Sequence, residues 1–78
     1  MFDFSKLNGK IKEVYGTQKK FAAAMGISRS AISLRLNNGV AWNPEEIVKA
    51  CELLHIPIAD NYLYFFVQKD VKITSKEA

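Results

Sequence analysis

TQKKFAAAMGISRSAISLRLN, residues 17–37, is the stretch that decides the fold of this chain. Thr17 is a helix N-cap, because its hydroxyl can satisfy an orphan N–H of the turn that follows. Gln18 to Met25 reads as a helix with Phe21, Ala22 and Met25 on one face. Gly26 stands where a helix C-terminus needs a residue tolerant of positive φ. Ile27 packs into the resulting angle, and Ser28 caps a second helix. Along that helix Ala31, Ile32 and Leu36 share a face, while Arg29, Ser30, Ser33 and Leu34 point elsewhere. Two short amphipathic helices with a glycine turn, the second opening on basic and polar residues, suit a device that lays one helix in a DNA groove.

Charge supports the same reading. The net charge is +3, and all eight acids lie at Asp3, Glu13, Glu45, Glu46, Glu52, Asp60, Asp70 and Glu77. None falls between Val14 and Pro44, where Lys19, Lys20, Arg29 and Arg35 stand. A surface of one sign attracts polyanions. The plainer alternative is a solvated basic face with no partner, and charge alone does not separate the two.

Outward from this stretch, Phe4, Leu7, Ile11 and Val14 recur at the helical period and predict a first helix over Ser5 to Tyr15, ended by Gly16. Asn37-Asn38-Gly39 is a stop after the third helix. Asn43 is an N-cap with Pro44 at the first helical position, and Glu45 and Glu46 favour the positive end of the dipole. Ile47, Val48, Cys51 and Leu54 are the expected apolar stripe of this fourth helix, which ends before Pro57. Trp42 precedes the cap and suits a hydrophobic staple. A short fifth helix is expected around Ala59 to Tyr64. From Phe65 to Thr74 β-branched and aromatic residues predict an extended tail, a strand or a small hairpin turning at Gln68-Lys69-Asp70. Ser75 to Ala78 are expected to fray.

Seventy-eight residues suffice for one small domain. Such a domain buries roughly 60% of its unfolded surface and has little stability to spare. Cys51 has no partner to staple it, which fits a reducing cytoplasm. No signal-peptide pattern and no membrane-length apolar run is present, so no membrane association is expected. Cys51 reads as an inert core thiol and His55 as a packing or surface residue, since a metal site would need further ligands. No Ser/His/Asp or paired-carboxylate arrangement suggests catalysis, and neither a cofactor nor a small-molecule substrate is expected.

The central motif resembles the helix-turn-helix of the phage Cro and C1 repressor family, the lambda-repressor-like fold. The resemblance rests on Gln18 opening one helix, Ala22 as the small residue four before Gly26, apolar Phe21, Met25, Ile27 and Ile32, and Ser-Arg-Ser opening the next helix. It extends over about residues 4–66 and is nearest to small Cro-like regulators of phages of Gram-positive bacteria. It implies an all-α, five-helix DNA-binding domain over residues 1–66, with residues 67–78 as a tail and candidate dimerisation element. It further implies a homodimer reading a palindromic operator, and a bacterial or phage-infected cytoplasm. A C1-type repressor carries a second domain for which this chain has no room, so a Cro-like role is expected.

In that family the first residue of the second helix grips the DNA backbone, which here is Gln18. The adjoining N–H groups at Thr17 and Ser28 are expected near phosphates too. Arg29 is the leading candidate for a base contact, because a guanidinium can bridge O6 and N7 of guanine. Ser30, Ser33 and Leu34 share the base-facing role, Leu34 through a thymine methyl or as a packed neighbour. Lys19, Lys20, Arg35, Asn37 and Asn38 are expected to hold phosphates. Arg35 departs from the family, which often has an apolar residue there. The cluster Tyr62, Tyr64, Phe65 and Phe66 is expected to complete the core and, with the tail, to offer a dimer surface. A rival reading makes the domain a protein-interaction module of antitoxin or anti-repressor type, using Leu34 and the aromatic cluster for contact.

Overall fold

The helix starts marked in the sequence are capped by the side chains that mark them. The computed structural model describes residues 1–69, and in them five α-helices form: α1 (Ser5–Tyr15), α2 (Gln18–Met25), α3 (Arg29–Leu36), α4 (Pro44–Leu53) and α5 (Tyr62–Phe65). Thr17 Oγ1 accepts the Lys20 N–H at 3.1 Å, and Ser28 Oγ accepts that of Ala31 at 3.0 Å. Asn43 and Glu46 close a reciprocal capping box at 2.8 and 3.2 Å. At α1 the Asp3 carboxylate takes the Ser5 N–H at 2.9 Å, and it also accepts the Ser5 hydroxyl. These hydrogen bonds lower the Asp3 pKa.

The helix ends share one device. Gly26, Asn38 and His55 follow α2, α3 and α4 with φ of 80°, 64° and 59°. In each case the next N–H reaches back to close the helix: Ile27 to Ala22 O at 3.0 Å, Gly39 to Leu34 O at 2.7 Å, Ile56 to Cys51 O at 2.9 Å. This is the left-handed cap in which the residue after the left-handed one bonds to the carbonyl five positions earlier. In Asn-Asn-Gly the left-handed position falls on Asn38, and Gly39 is needed for space instead. A Cβ there would lie 3.0 Å from Leu34 Cδ2 and 3.2 Å from the Leu34 carbonyl.

The core collects one stripe from every helix. Leu7 and Ile11 come from α1, Phe21, Ala22 and Met25 from α2, Ile32 from α3, and Ala50 and Cys51 from α4; Phe4, Leu54, Ile56 and Phe65 complete it. Phe21, Phe65, Leu7 and Ile32 are among the largest fully buried side chains, each worth about 1.5–3 kcal/mol over exposure. The Cys51 thiol lies in this core, where desolvation raises its pKa.

Two expectations are corrected, and the start of the tail is located. Val48 is 46% exposed and Ala50 fully buried, because the stripe of α4 runs 47, 50, 51, 54, with position 48 on its flank. The fifth helix is broken in two: a 3-10 turn at Ile58–Asp60 precedes α5, which includes Phe65, expected to be extended. The tail begins as an isolated antiparallel bridge between Phe2 and Gln68, held by Asp3 N–H to Val67 O at 2.8 Å and Lys69 N–H to Met1 O at 3.0 Å. Through Lys69 it pairs with the chain's own N-terminus. The expected turn at Asp70 and the strand to Thr74 lie outside the described residues. No helix among the described residues is long and apolar enough to cross a membrane.

Candidate nucleic-acid interface

The α2–turn–α3 unit is held from behind by α4. Ala22, 2% exposed, lets the two helices approach. Lys49 of α4 donates to the Met25 carbonyl at 3.2 Å, meeting one of the carbonyls that the end of α2 leaves open. Glu46, one turn earlier, grips Arg35 of α3 through two bonds of 3.0 and 2.9 Å. α2 is tied at its other end to α1, where Gln18 Nε2 donates to Asn8 Oδ1 at 3.1 Å. The outward face of the unit is therefore fixed by polar contacts on three sides.

Arg29 and Ser30 stand exposed at the start of α3, Ser33 is half-buried, and Leu34 is 50% exposed. Arg29 has no ion pair and no side-chain hydrogen bond among the described residues, so its five donors are available. With its side chains an α-helix such as α3 is about 10–12 Å across, which fits the roughly 12 Å width of a B-DNA major groove. Lys19 and Lys20 are exposed on the first turn of α2. A surface notch at the N-terminus of α2 is lined by Lys12, Gly16, Thr17, Gln18, Lys19 and Arg29. Three cations and the positive end of a helix dipole thus converge there, an arrangement suited to an anion such as a phosphate. The sequence reading missed Lys12. It belongs to α1, and only the tertiary fold carries it beside α2.

The side chains of the other residues named from the sequence make hydrogen bonds within the protein. The Thr17 and Ser28 hydroxyls serve as caps. Asn37 bonds back to the Ser33 carbonyl at 2.8 Å. Arg35 and Asn38 reach elements more distant in sequence. All three guanidinium nitrogens of Arg35 are engaged, two with Glu46 and one with the Ala31 carbonyl at 2.9 Å. The Arg35 hydrogen bond is the main reason that the Glu46 pKa is lowered. Asn38 pairs in both directions with the backbone of Phe2, at 3.0 and 2.9 Å. Neither side chain is presented outward, because each closes a gap between elements distant in sequence.

A second surface flanks this unit. Phe2, Phe4, Trp42, Ile47, Phe65 and Phe66 are among the residues around an open apolar cavity of about 460 Å³. Trp42 meets Phe65 edge to face at 5.1 Å, and its indole Nε1 is buried without a hydrogen-bond partner among the described residues. The sequence cluster is split here: Phe65 is buried, while Tyr62 and Phe66 are 57% and 48% exposed.

The fold and the two surfaces define a five-helix domain with a basic helical face and an aromatic flank. The chain belongs to the family described as a protein of unknown function (DUF739), whose model matches residues 1–68. It is similar to the solution structure of the modulator of repression (MOR) of the temperate bacteriophage TP901-1 from Lactococcus lactis, with 48% identity and a TM-score of 0.75 over 83% of this chain and 88% of that one. No curated protein matches the chain.

Proposed function

We propose that this protein is a phage transcriptional regulator that binds operator DNA, with α3 in the major groove and the α2 N-terminus on the backbone. The observation that carries the reading is that Arg29, on a helix pair whose sequence holds no acid, stands without a partner among the described residues at the notch it shares with Lys12 and Lys19. Likeness to a phage modulator of repression supports a role in phage gene control. A homodimer would set two copies of α3 in successive major grooves about 34 Å apart on a palindromic site in the cytoplasm of the host. The role is one of binding, with no catalytic step.

Binding of the full chain to duplexes from the DNA flanking its own gene, against random duplex at physiological salt, tests the proposal. Arg29→Ala should cost about 1–3 kcal/mol on the preferred site and much less on random DNA. Equal loss on both would reassign Arg29 to phosphate. No retarded complex at micromolar protein would remove the operator model.

A second reading is favoured by the aromatic flank. An open apolar cavity beside an indole N–H that is unpartnered among the described residues suits a protein surface. On that reading Leu34 and Phe66 make the contact. Phe66→Ser would then abolish regulation while DNA binding is unchanged.

A further inference from the structure

Of the two cations of α3, Arg29 is presented to solvent and Arg35 is not. The Arg35 and Glu46 side chains are 16% and 17% exposed, and they meet in a fork of two bonds. Glu46 is itself fixed, since the Asn43 N–H donates to it and its own N–H bonds to Asn43. The third nitrogen of Arg35 is held by the Ala31 carbonyl of its own helix. A bidentate Arg–carboxylate pair is among the stronger charge-assisted contacts. Neutralising the cation there removes one positive charge from the end of the helix that would lie along DNA.

We propose that Glu46 withholds Arg35 from DNA phosphates and so limits the affinity of the domain for any duplex. Each phosphate contact adds the same affinity on every sequence, so an additional one strengthens non-specific binding as much as specific binding. A second free arginine would therefore raise affinity for operator and random duplex alike and leave the ratio between them unchanged. The latch keeps affinity with Arg29 and its neighbours. This inference rests on the DNA-binding reading, but it concerns binding to any duplex.

The test uses the full chain, a random-sequence duplex, and fluorescence anisotropy across 50–200 mM salt. E46Q keeps an oxygen for the capping box and loses the charge that holds Arg35. Its log-log salt slope should steepen by about 0.9, which over that fourfold range is an additional affinity loss of about 3.5-fold. E45Q changes the net charge equally at an exposed acid with no ion pair among the described residues, and should leave the slope as in wild type. R35Q in the wild-type background should also leave it unchanged, and E46Q/R35Q should return to it. A flattened slope in R35Q would show that Arg35 already contacts phosphate, and would overturn the latch even if E46Q failed to fold. Equal slopes for E46Q and E45Q would overturn it as well. If operator preference is intact while the slopes are equal, the latch alone fails. If E46Q steepens the slope and wild type shows no site preference, the operator reading fails and the latch stands. Absence of binding by every variant removes both.

Discussion

Replacing Asn38 tests how the ends of the chain are tied to α3. Its carboxamide accepts the Phe2 N–H at 3.0 Å and donates to the Phe2 carbonyl at 2.9 Å, across 36 positions of sequence. Two such bonds between neutral groups contribute about 0.5–1.5 kcal/mol each. Asn38 also sits at φ 64°, where alanine costs about 1–2 kcal/mol. Asn38→Ala should therefore destabilise the domain by about 2–5 kcal/mol, toward the lower end because the Phe2 groups are only part-buried and water can replace the amide. At about 4–8 °C per kcal/mol for a domain of this size, thermal unfolding followed by circular dichroism would show a drop of at least about 8 °C. Asn38→Gly keeps the left-handed conformation and loses both bonds, so it should fall between wild type and alanine. Native-state hydrogen exchange should find the Phe2 amide protected in wild type and open in both variants. A glycine variant as stable as wild type would show that the carboxamide contributes nothing. An alanine variant more stable than glycine would refute the backbone argument.

Three further outcomes are expected. Ala22→Leu should destabilise by at least about 1–3 kcal/mol, read as a lowered unfolding temperature, because Ala22 is 2% exposed at the α2–α3 crossing. Stability should fall in acid. The Glu46 pKa lies below its ordinary 4.5 because Arg35 and Asn43 bond to the carboxylate, so its contribution is full above that value and is lost as pH falls through the lowered pKa; E46Q should flatten this part of the pH–stability curve. Lys20→Ala, at an exposed position on the first turn of α2, should weaken binding to operator and random duplex alike and reduce the salt slope by about 0.9.

Local signals made most of the fold legible. Thr17, Ser28 and Asn43 mark helix starts through chemistry confined to four residues, and they hold in the structure. Helical periodicity identified Leu7, Ile11, Phe21 and Ile32 as core. The errors arose where two registers are nearly equivalent or where the partner is remote. Val48 and Ala50 each lie within a turn of Cys51, and a larger apolar residue at 48 drew the stripe to the wrong side. His55 gave no sign of its left-handed backbone, which it adopts because Ile56 must turn back into the core. For the candidate site, exposure at Arg29, Ser30, Lys19 and Lys20 follows from helix geometry. The fates of Arg35 and Asn38 do not, since Glu46 and Phe2 reach them only through the tertiary fold. An arginine on a helix reads as a free cation until its carboxylate is located.

Helix α4 explains why the basic face is firm while the neighbouring flank is not fully satisfied. Glu46 and Lys49 are one turn apart, and one holds α3 while the other holds the end of α2. The angle between α2 and α3 is thus fixed by charged contacts in addition to the apolar contacts of Ala22 and Ile32. At the N-terminal end of the same helix, Trp42 and Ile47 line a cavity, and a buried indole N–H goes without a partner among the described residues. A buried donor left unpaired costs about 1–3 kcal/mol, so any rearrangement or partner that satisfies it recovers that amount. The latch holds the basic face in one geometry, whereas the aromatic flank retains an incentive to repack. If both surfaces function, DNA should meet a preformed face, and a protein partner should select among packings of Trp42, Phe65 and Phe66.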